Sequence, residues 1–165
     1  MFENKVAYIT GGTKGIGFGI AKILLQNGIN VAITGRKKAD VDHAVSQLSP
    51  DSSKVLGIVS DVRNFEEEVQ AVSAIKNHFG RLDYVIANAG LGVFKSVDEL
   101  SVEDWNDMIG TNLSGLFYTL KASMEELKKS EGYFISISSL AGTNFFEKGS
   151  GYNASKFGAV GFTQA

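Results

Sequence analysis

Tyr152 and Lys156 stand four residues apart in the run Tyr152-Asn153-Ala154-Ser155-Lys156. On a helix that spacing puts both side chains on one face. An ammonium beside a phenol favours the phenolate, which readies a tyrosine for work as a general acid or base. The pair is common by chance, so its meaning depends on what surrounds it. Ser139 lies 13 residues upstream of Tyr152, in Ile135-Ser136-Ile137-Ser138-Ser139-Leu140-Ala141-Gly142. This run reads as the end of a strand. A hydroxyl there can hydrogen-bond a carbonyl oxygen as it turns into an alkoxide. The chain has no Cys, hence no thiolate nucleophile and no Cys-based metal site. His43 and His78 have no partner at ligand spacing and read as surface residues, and Glu66-Glu67-Glu68 reads as a first-turn acidic run. No metal is expected.

A second cluster lies near the start. A short apolar run, Val6–Thr10, leads into Thr10-Gly11-Gly12-Thr13-Lys14-Gly15-Ile16-Gly17, and a helical pattern follows. Glycines permit the tight turn, and the next helix offers free N–H groups and a partial positive charge to a phosphate. The cofactor-contacting residues expected here are Gly11, Thr13, Lys14, Gly15, Ile16 and Gly17. The spacing is Gly-x3-Gly-x-Gly, which differs from the common dinucleotide fingerprint. It is not a Walker loop, because Lys14 precedes Gly15. The second apolar run ends in Thr34-Gly35-Arg36-Lys37. In a dinucleotide fold an acid at this end would bind the ribose 2′-hydroxyl of NAD, whereas an arginine accommodates a 2′-phosphate. Arg36 and Lys14 therefore favour NADP(H) over NAD(H), with Gly35 clearing the 2′ position. The alternative is a solvated Arg-Lys-Lys loop.

Elements that would position these groups alternate along the chain. Strand-like runs at Val6–Thr10, Val31–Thr34, Lys54–Ser60, Tyr84–Ala87 and Tyr133–Ser138 are short and rich in Val and Ile, as strands buried on both faces are. Between them, helices are expected from Ile16 to Asn27, Asp40 to Leu48, Asn64 to Phe79 and Ser101 to about Lys129. Ile16, Ile20, Ile23 and Leu24 form one apolar face of the first. Asn64 with Glu67, and Ser101 with Asp104, have capping-box spacing. In the longest helix, Asn112 interrupts a stripe of Trp105, Met108, Ile109, Leu113, Leu116, Phe117 and Leu120. Its amide either makes a structural hydrogen bond to a neighbouring strand or holds a water in a proton path. Phe145-Phe146 either line a substrate pocket or simply pack. The alternation implies an α/β protein with a Rossmann-type, doubly wound parallel sheet in three layers.

Composition narrows the classes. The 165 residues fit one domain, and 44% hydrophobic with 21% charged content is globular. A net charge of −2 gives no basic field for nucleic acid or an anionic membrane. No apolar run approaches the roughly 20 residues of a membrane span. Met1-Phe2-Glu3-Asn4-Lys5 has no signal-peptide layout, so a cytoplasmic protein is expected. There are 19 Gly and one Pro, Pro50.

Taken together the residues resemble the short-chain dehydrogenase/reductase family, in its shorter single-domain branch. The likeness runs from Lys5 to Ala165. It rests on the turn at Thr10 to Gly17, Asp61-Val62, Asn88-Ala89-Gly90, Asn112, Ser139 and Tyr152-x3-Lys156. It implies that Tyr152 exchanges a proton with the carbonyl or alcohol oxygen, and that Lys156 assists Tyr152 and holds the nicotinamide ribose. Ser139 would orient the substrate oxygen, and Asn112 would hold a water leading from Lys156 to solvent. Asp61 and Val62 would contact adenine, and Asn88, Ala89 and Gly90 would line the cofactor ribose. The implied partners are a small carbonyl or alcohol substrate and further copies of the chain, as a homodimer or homotetramer pairing through the helices that begin at Ser101 and near Tyr152. Two departures stand out. Ala87 occupies a position where the family often has Asn. Family members also continue with two more strands and a substrate-covering segment, so residues 1–165 are expected to be one Rossmann domain of a longer chain. The activity implied is an NADP(H)-dependent exchange of carbonyl and alcohol. The alternative is a non-catalytic NADP(H)-binding or interaction protein.

Overall fold

The computed structural model describes residues 4–49, 51 and 53–165; the expectations for Met1–Glu3 and Pro50 lie outside them. The strands are β1 (Val6–Ile9), β2 (Asn30–Gly35), β3 (Val55–Val59), β4 (Tyr84–Ala87) and β5 (Tyr133–Ser136). They pair in parallel in the order β3-β2-β1-β4-β5. The helices are α1 (Gly15–Gln26), α2 (Lys38–Leu48), α3 (Phe65–Phe79), α4 (Val102–Ile109), α5 (Gly115–Ser130) and α6 (Ser150–Gln164). A single turn of π-helix (Gly110–Ser114) joins α4 to α5, and a 3₁₀ turn (Leu140–Gly142) follows β5.

Alternation along β1 divides the core between the two sheet faces. Val6 and Tyr8 pack with Ala71, Val72 and Ile75 of α3 and Leu127 of α5. Ala7 and Ile9 pack with Val31 and Ile33 of β2, Ala21 of α1 and Ala44 of α2. These are the two helical layers of the expected three-layer fold. The strand order reverses between β1 and β4. Ligands in open α/β sheets bind outside the carboxyl ends of the strands at such a reversal.

Three local expectations change. First, Ile16 and Ile23 do not belong to a buried face of α1; they are 67% and 60% exposed. The core side of α1 is narrower, built from Ala21 with Ile20 and Leu24. Second, the helix expected from Ser101 to Lys129 is not continuous α-helix. It widens into the π turn around Asn112, whose amide bonds the loop after β4 at Leu91. Third, only half of the Asn64–Glu67 box forms. Asn64 Oδ1 accepts from Glu66 N and Glu67 N, but Glu67 Oε2 accepts instead from Asp61 N at 2.8 Å. Ser101 does cap α4, accepting from Asp104 N, while Asp104 turns to Lys95.

The amino ends of the strands are tied by Asp83. Its carboxylate accepts from Lys5 Nζ (2.8 Å), Val6 N (3.0 Å) and Arg81 Nε (2.7 Å). Its backbone pairs with Val6 on one side and Tyr133 on the other. At the opposite end of the sheet lies the candidate site. β5 is hydrogen-bonded to β4 and leaves Tyr133 and Ile135 exposed.

Candidate functional site

The turn after β1 is shaped by glycine. Gly11 (φ +63°) and Gly15 (φ +58°) occupy left-handed backbone, which side chains disfavour. Gly17 serves a close approach. A Cβ there would lie 2.5 Å from Asn88 Nδ2 and 2.8 Å from Gly11 O. Asn88 is fixed at this place. Its Nδ2 donates to Thr10 O (2.9 Å) and Gly11 O (3.1 Å), and Thr10 Oγ1 accepts from the N–H groups of Asn88 and Ala89. The Asn88 side chain therefore braces the glycine turn against the end of β4, with both amide protons used. We expect Gly17→Ala to cost roughly 1–3 kcal/mol in a denaturant titration, as overpacking against fixed backbone does. Gly19→Ala, with nothing within 4 Å of the new Cβ, should be neutral or slightly stabilising. Equal stability of the two variants would contradict this reading.

The N-terminus of α1 carries no side-chain cap and no acidic residue in its first turn. Its first-turn N–H groups are thus left to another partner. Gly35 also answers to a contact within the protein. A Cβ on Gly35 would meet Thr13 Cγ2 at 2.6 Å, so the missing side chain makes room for Thr13. Arg36 and Lys14 are exposed at this edge. Asp61 follows β3 and is gripped by Arg63, with Nε and Nη2 on its carboxylate at 2.7–3.0 Å. That hydrogen bonding holds the Asp61 carboxyl below its usual range, and the charge of Arg36 adds a weaker pull. Arg63 also pairs with Asp107 of α4. Val62 is buried, seated where a Cβ on Gly115 would be, 2.7 Å from Val62 Cγ2.

At the ends of β4 and β5 a cavity of about 340 Å³ brings together Ile16, Asn88, Gly90, Phe94, Tyr152 and Lys156. Lys156 is 5% exposed. Its Nζ lies 5.8 Å from the centre of the Tyr152 ring and donates to Ile137 O at 2.9 Å. Burial pushes the Lys156 ammonium below its ordinary value. Phe94 packs edge-on against Tyr152 at 5.4 Å, with Phe146 on its other side at 5.7 Å. Phe146 therefore packs in an aromatic group at the cavity, whereas Phe145 is almost wholly exposed.

Asn112 is 2% exposed. Its Nδ2 donates to Leu91 O (2.8 Å) and Ser155 Oγ (2.9 Å), and its Oδ1 accepts from Leu91 N (2.9 Å). The side chain thus clamps the loop after β4 to α6 and has no free proton for a water. Ser139 Oγ accepts from Ala141 N at 3.1 Å and caps the 3₁₀ turn. Its neighbour Ser138 borders the cavity, with its Oγ buried and without a hydrogen-bond partner among the described residues. Ser138, Phe94, Ser155 and Asn153 were not singled out in the sequence. Asn153 Nδ2 donates to Ala141 O and Asn144 O, tying α6 to the segment after β5. The polar residues between Tyr152 and Lys156 were the available signal.

A parallel sheet with a glycine turn after β1, and with Tyr152 and Lys156 at the ends of its strands, defines a Rossmann-type oxidoreductase domain. The chain belongs to the short chain dehydrogenase family, which matches residues 5–165. It is 35% identical over 165 residues to an uncharacterized oxidoreductase of Staphylococcus aureus (strain MW2), covering 99% of this chain and 71% of the relative. Among solved structures it is similar to an alcohol dehydrogenase of the archaeon Thermococcus sibiricus complexed with 5-hydroxy-NADP. That likeness has 34% identity and TM-score 0.92, over 97% of this chain and 68% of the other. A short chain dehydrogenase from Bacillus anthracis gives 30% identity and TM-score 0.93, over 99% and 69%. The chain thus spans about 70% of the length of such relatives. The family binds NAD(P) and acts on small molecules. Among the described residues no helix is long and apolar enough to cross a membrane, and no cluster of three potential metal ligands occurs.

Proposed function

We propose that this chain carries the cofactor and acid–base site of an NADP(H)-dependent oxidoreductase that interconverts a carbonyl and an alcohol. The observation that supports it most is the single cavity shared by Tyr152, Lys156, Asn88 and Gly90 beside the glycine turn. NADP(H), when bound, supplies or accepts the hydride. The positive-φ glycines and the uncapped α1 N-terminus fit a diphosphate. Asp61 and Val62 would border adenine, Asn88, Ala89 and Gly90 the ribose, and Arg36 with Lys14 the 2′-phosphate. In reduction, Tyr152 gives its hydroxyl proton to the carbonyl oxygen; in oxidation it takes the alcohol proton. Lys156 favours the phenolate by its charge. Ser139 is the family-matched residue for orienting the substrate oxygen, in a position adjoining Ser138 in the cavity wall. Asn112 fixes loop and helix, and its amide oxygen, with one N–H accepted, keeps a lone pair for the water leading from Lys156.

A panel of ketones and aldehydes, followed by NADPH oxidation at 340 nm (the ordinary reduced-nicotinamide band), tests the reaction. Tight NADPH binding without turnover by any carbonyl would favour a non-catalytic nucleotide-binding protein instead. Cofactor choice has its own test. Arg36→Asp should weaken NADPH and favour NADH, shifting the ratio of kcat/KM values by roughly tenfold or more, the loss of a charge-assisted contact. Equal kcat/KM for both cofactors in the unsubstituted protein would contradict the NADP(H) preference. The proposal places the protein in the cytoplasm as a homodimer or homotetramer. Trp105, Phe117, Met124 and Phe157 are partly exposed on α4, α5 and α6 and supply an apolar face for pairing. Sedimentation that finds only monomers would contradict it.

A further inference from the structure

One ionisable group is sealed inside the core away from the cavity. Glu68, in the first turn of α3, is 0% exposed. Four elements converge on its carboxyl. Tyr8 OH of β1 lies 3.0 Å from both oxygens. Ser60 Oγ, just past β3, donates to Oε1 at 2.9 Å. Thr119 Oγ1 of α5 lies 2.8 Å from Oε2 and 2.9 Å from Gly115 O. From β2, Thr34 faces the Tyr8 hydroxyl. Among the described residues, the titratable neighbours acting on the group are Tyr8 and Glu67. Among the described residues no Lys, Arg or His forms a hydrogen bond or ion pair with it.

Counting protons favours the neutral acid. Thr119 has one hydroxyl proton and two acceptors within reach. An ionised Glu68 would claim that proton and leave the contact to Gly115 O without one. A neutral Glu68 donates its own proton to Thr119 Oγ1, Thr119 donates to Gly115 O, and Tyr8 and Ser60 donate to the carboxyl. Four protons then serve the five close contacts, with only that of Tyr8 shared, against three when Glu68 is ionised. Burial without a cation acts in the same direction and outweighs the opposing pull of the Thr119, Ser60 and Tyr8 hydroxyls, leaving the Glu68 carboxyl above its ordinary value. Burial pushes the Tyr8 phenol well upward, so Tyr8 remains a donor.

The network borders the residues placed at adenine. Ser60 precedes Asp61 and Val62, and the next residue of α3, Glu67, holds Asp61 N. Val62 rests on Gly115, one turn from Thr119. We infer that Glu68 is a positioning residue that, as a neutral acid, fixes the Ser60–Val62 loop and thereby makes affinity for the adenine half of the cofactor sensitive to pH. This rests on the cofactor reading above. Ionising the carboxyl breaks the donation to Thr119 and loosens Ser60.

The test is the binding of adenosine 2′,5′-bisphosphate and NADPH to the full chain from about pH 5 to about pH 9, above the ordinary glutamate value. The unsubstituted protein should lose affinity with rising pH by about tenfold more than Glu68→Gln. The comparison cancels titration of the probe's own phosphates. An infrared carboxylic-acid band at neutral pH should vanish in Glu68→Gln. Ser60→Ala should keep that band yet flatten the affinity profile, because the loop is no longer tied to the carboxyl. Superimposable profiles in proteins that bind both probes would overturn the positioning role alone. Failure of every variant to bind either probe at any pH would overturn the cofactor reading and this role with it.

Discussion

Replacing Tyr152 by phenylalanine should lower kcat by about 10²–10⁴-fold, the usual contribution of a positioned general acid or base. NADPH affinity should hardly change. The substitution removes one oxygen and keeps the ring, so the edge-on contact with Phe94 at 5.4 Å is retained. It also spares Lys156, whose ammonium is held by the Ile137 carbonyl rather than by the phenol. The loss would then belong to proton transfer and not to a disturbed cavity. Single-turnover rates with NADPH and an accepted carbonyl separate the two. Full activity in Tyr152→Phe would remove Tyr152 from the chemistry.

The largest effect on stability is expected at the other end of the sheet. Asp83→Ala should cost roughly 2–3 kcal/mol, below the 3–5 kcal/mol of a wholly buried pair because Arg81 and Lys5 are partly solvated. The carboxylate is 1% exposed, and its removal leaves Val6 N without its partner. The pH dependence has a definite sign. Burial alone would raise the Asp83 carboxyl, but Arg81, Lys5 and the Val6 N–H outweigh it and hold the group below its usual range. Its contribution is therefore present above the unfolded value of about 3.9. It is lost as pH falls through the lower folded value. Urea titrations should show a gap between the two proteins at neutral pH that narrows below about pH 4. Glu68 has the opposite sign: its folded value is raised, so its contribution is full below the unfolded value and lost as pH rises through the folded one. A gap at Asp83 that is constant with pH would contradict the ion-pair account.

The order of strands and helices was legible because each element carries a local signal. Val- and Ile-rich runs mark buried parallel strands, and Asn64, Ser101 and Gly80 mark helix ends that the structure retains. The glycine turn was legible for the same reason: positive φ at Gly11 and Gly15 is a demand on a single residue. Legibility fails where a role is set by contacts distant in the chain. Gly35 makes room for Thr13, which no spacing reveals. Asn112 carried two readings because a buried amide looks alike in sequence whether it meets Leu91 or water. Glu68 was read as part of a helix-terminal acidic run. Only the fold shows that one glutamate of the three turns inward to Tyr8, Ser60 and Thr119. Ser138 and Ser139 are adjacent, and which of them faces the cavity depends on strand twist and the following turn.

The wide turn at Gly110–Ser114 also has a consequence for how this site can vary. Each residue of an α-helix advances about 100° around the axis, and a π turn accommodates one more residue than an α turn. Met108 before it and Thr119 after it both point to buried partners, and the wide turn keeps those two faces in phase. Substitutions can exchange the side chains while preserving that phase. Losing one residue from the turn would close it to an α turn and leave the later positions of α5 facing nearly as they do, so that Thr119 keeps its approach to Glu68 while the widening at Asn112 is lost. The extra residue of the turn thus bears on the Asn112 clamp alone, and the facing of α5 does not depend on it.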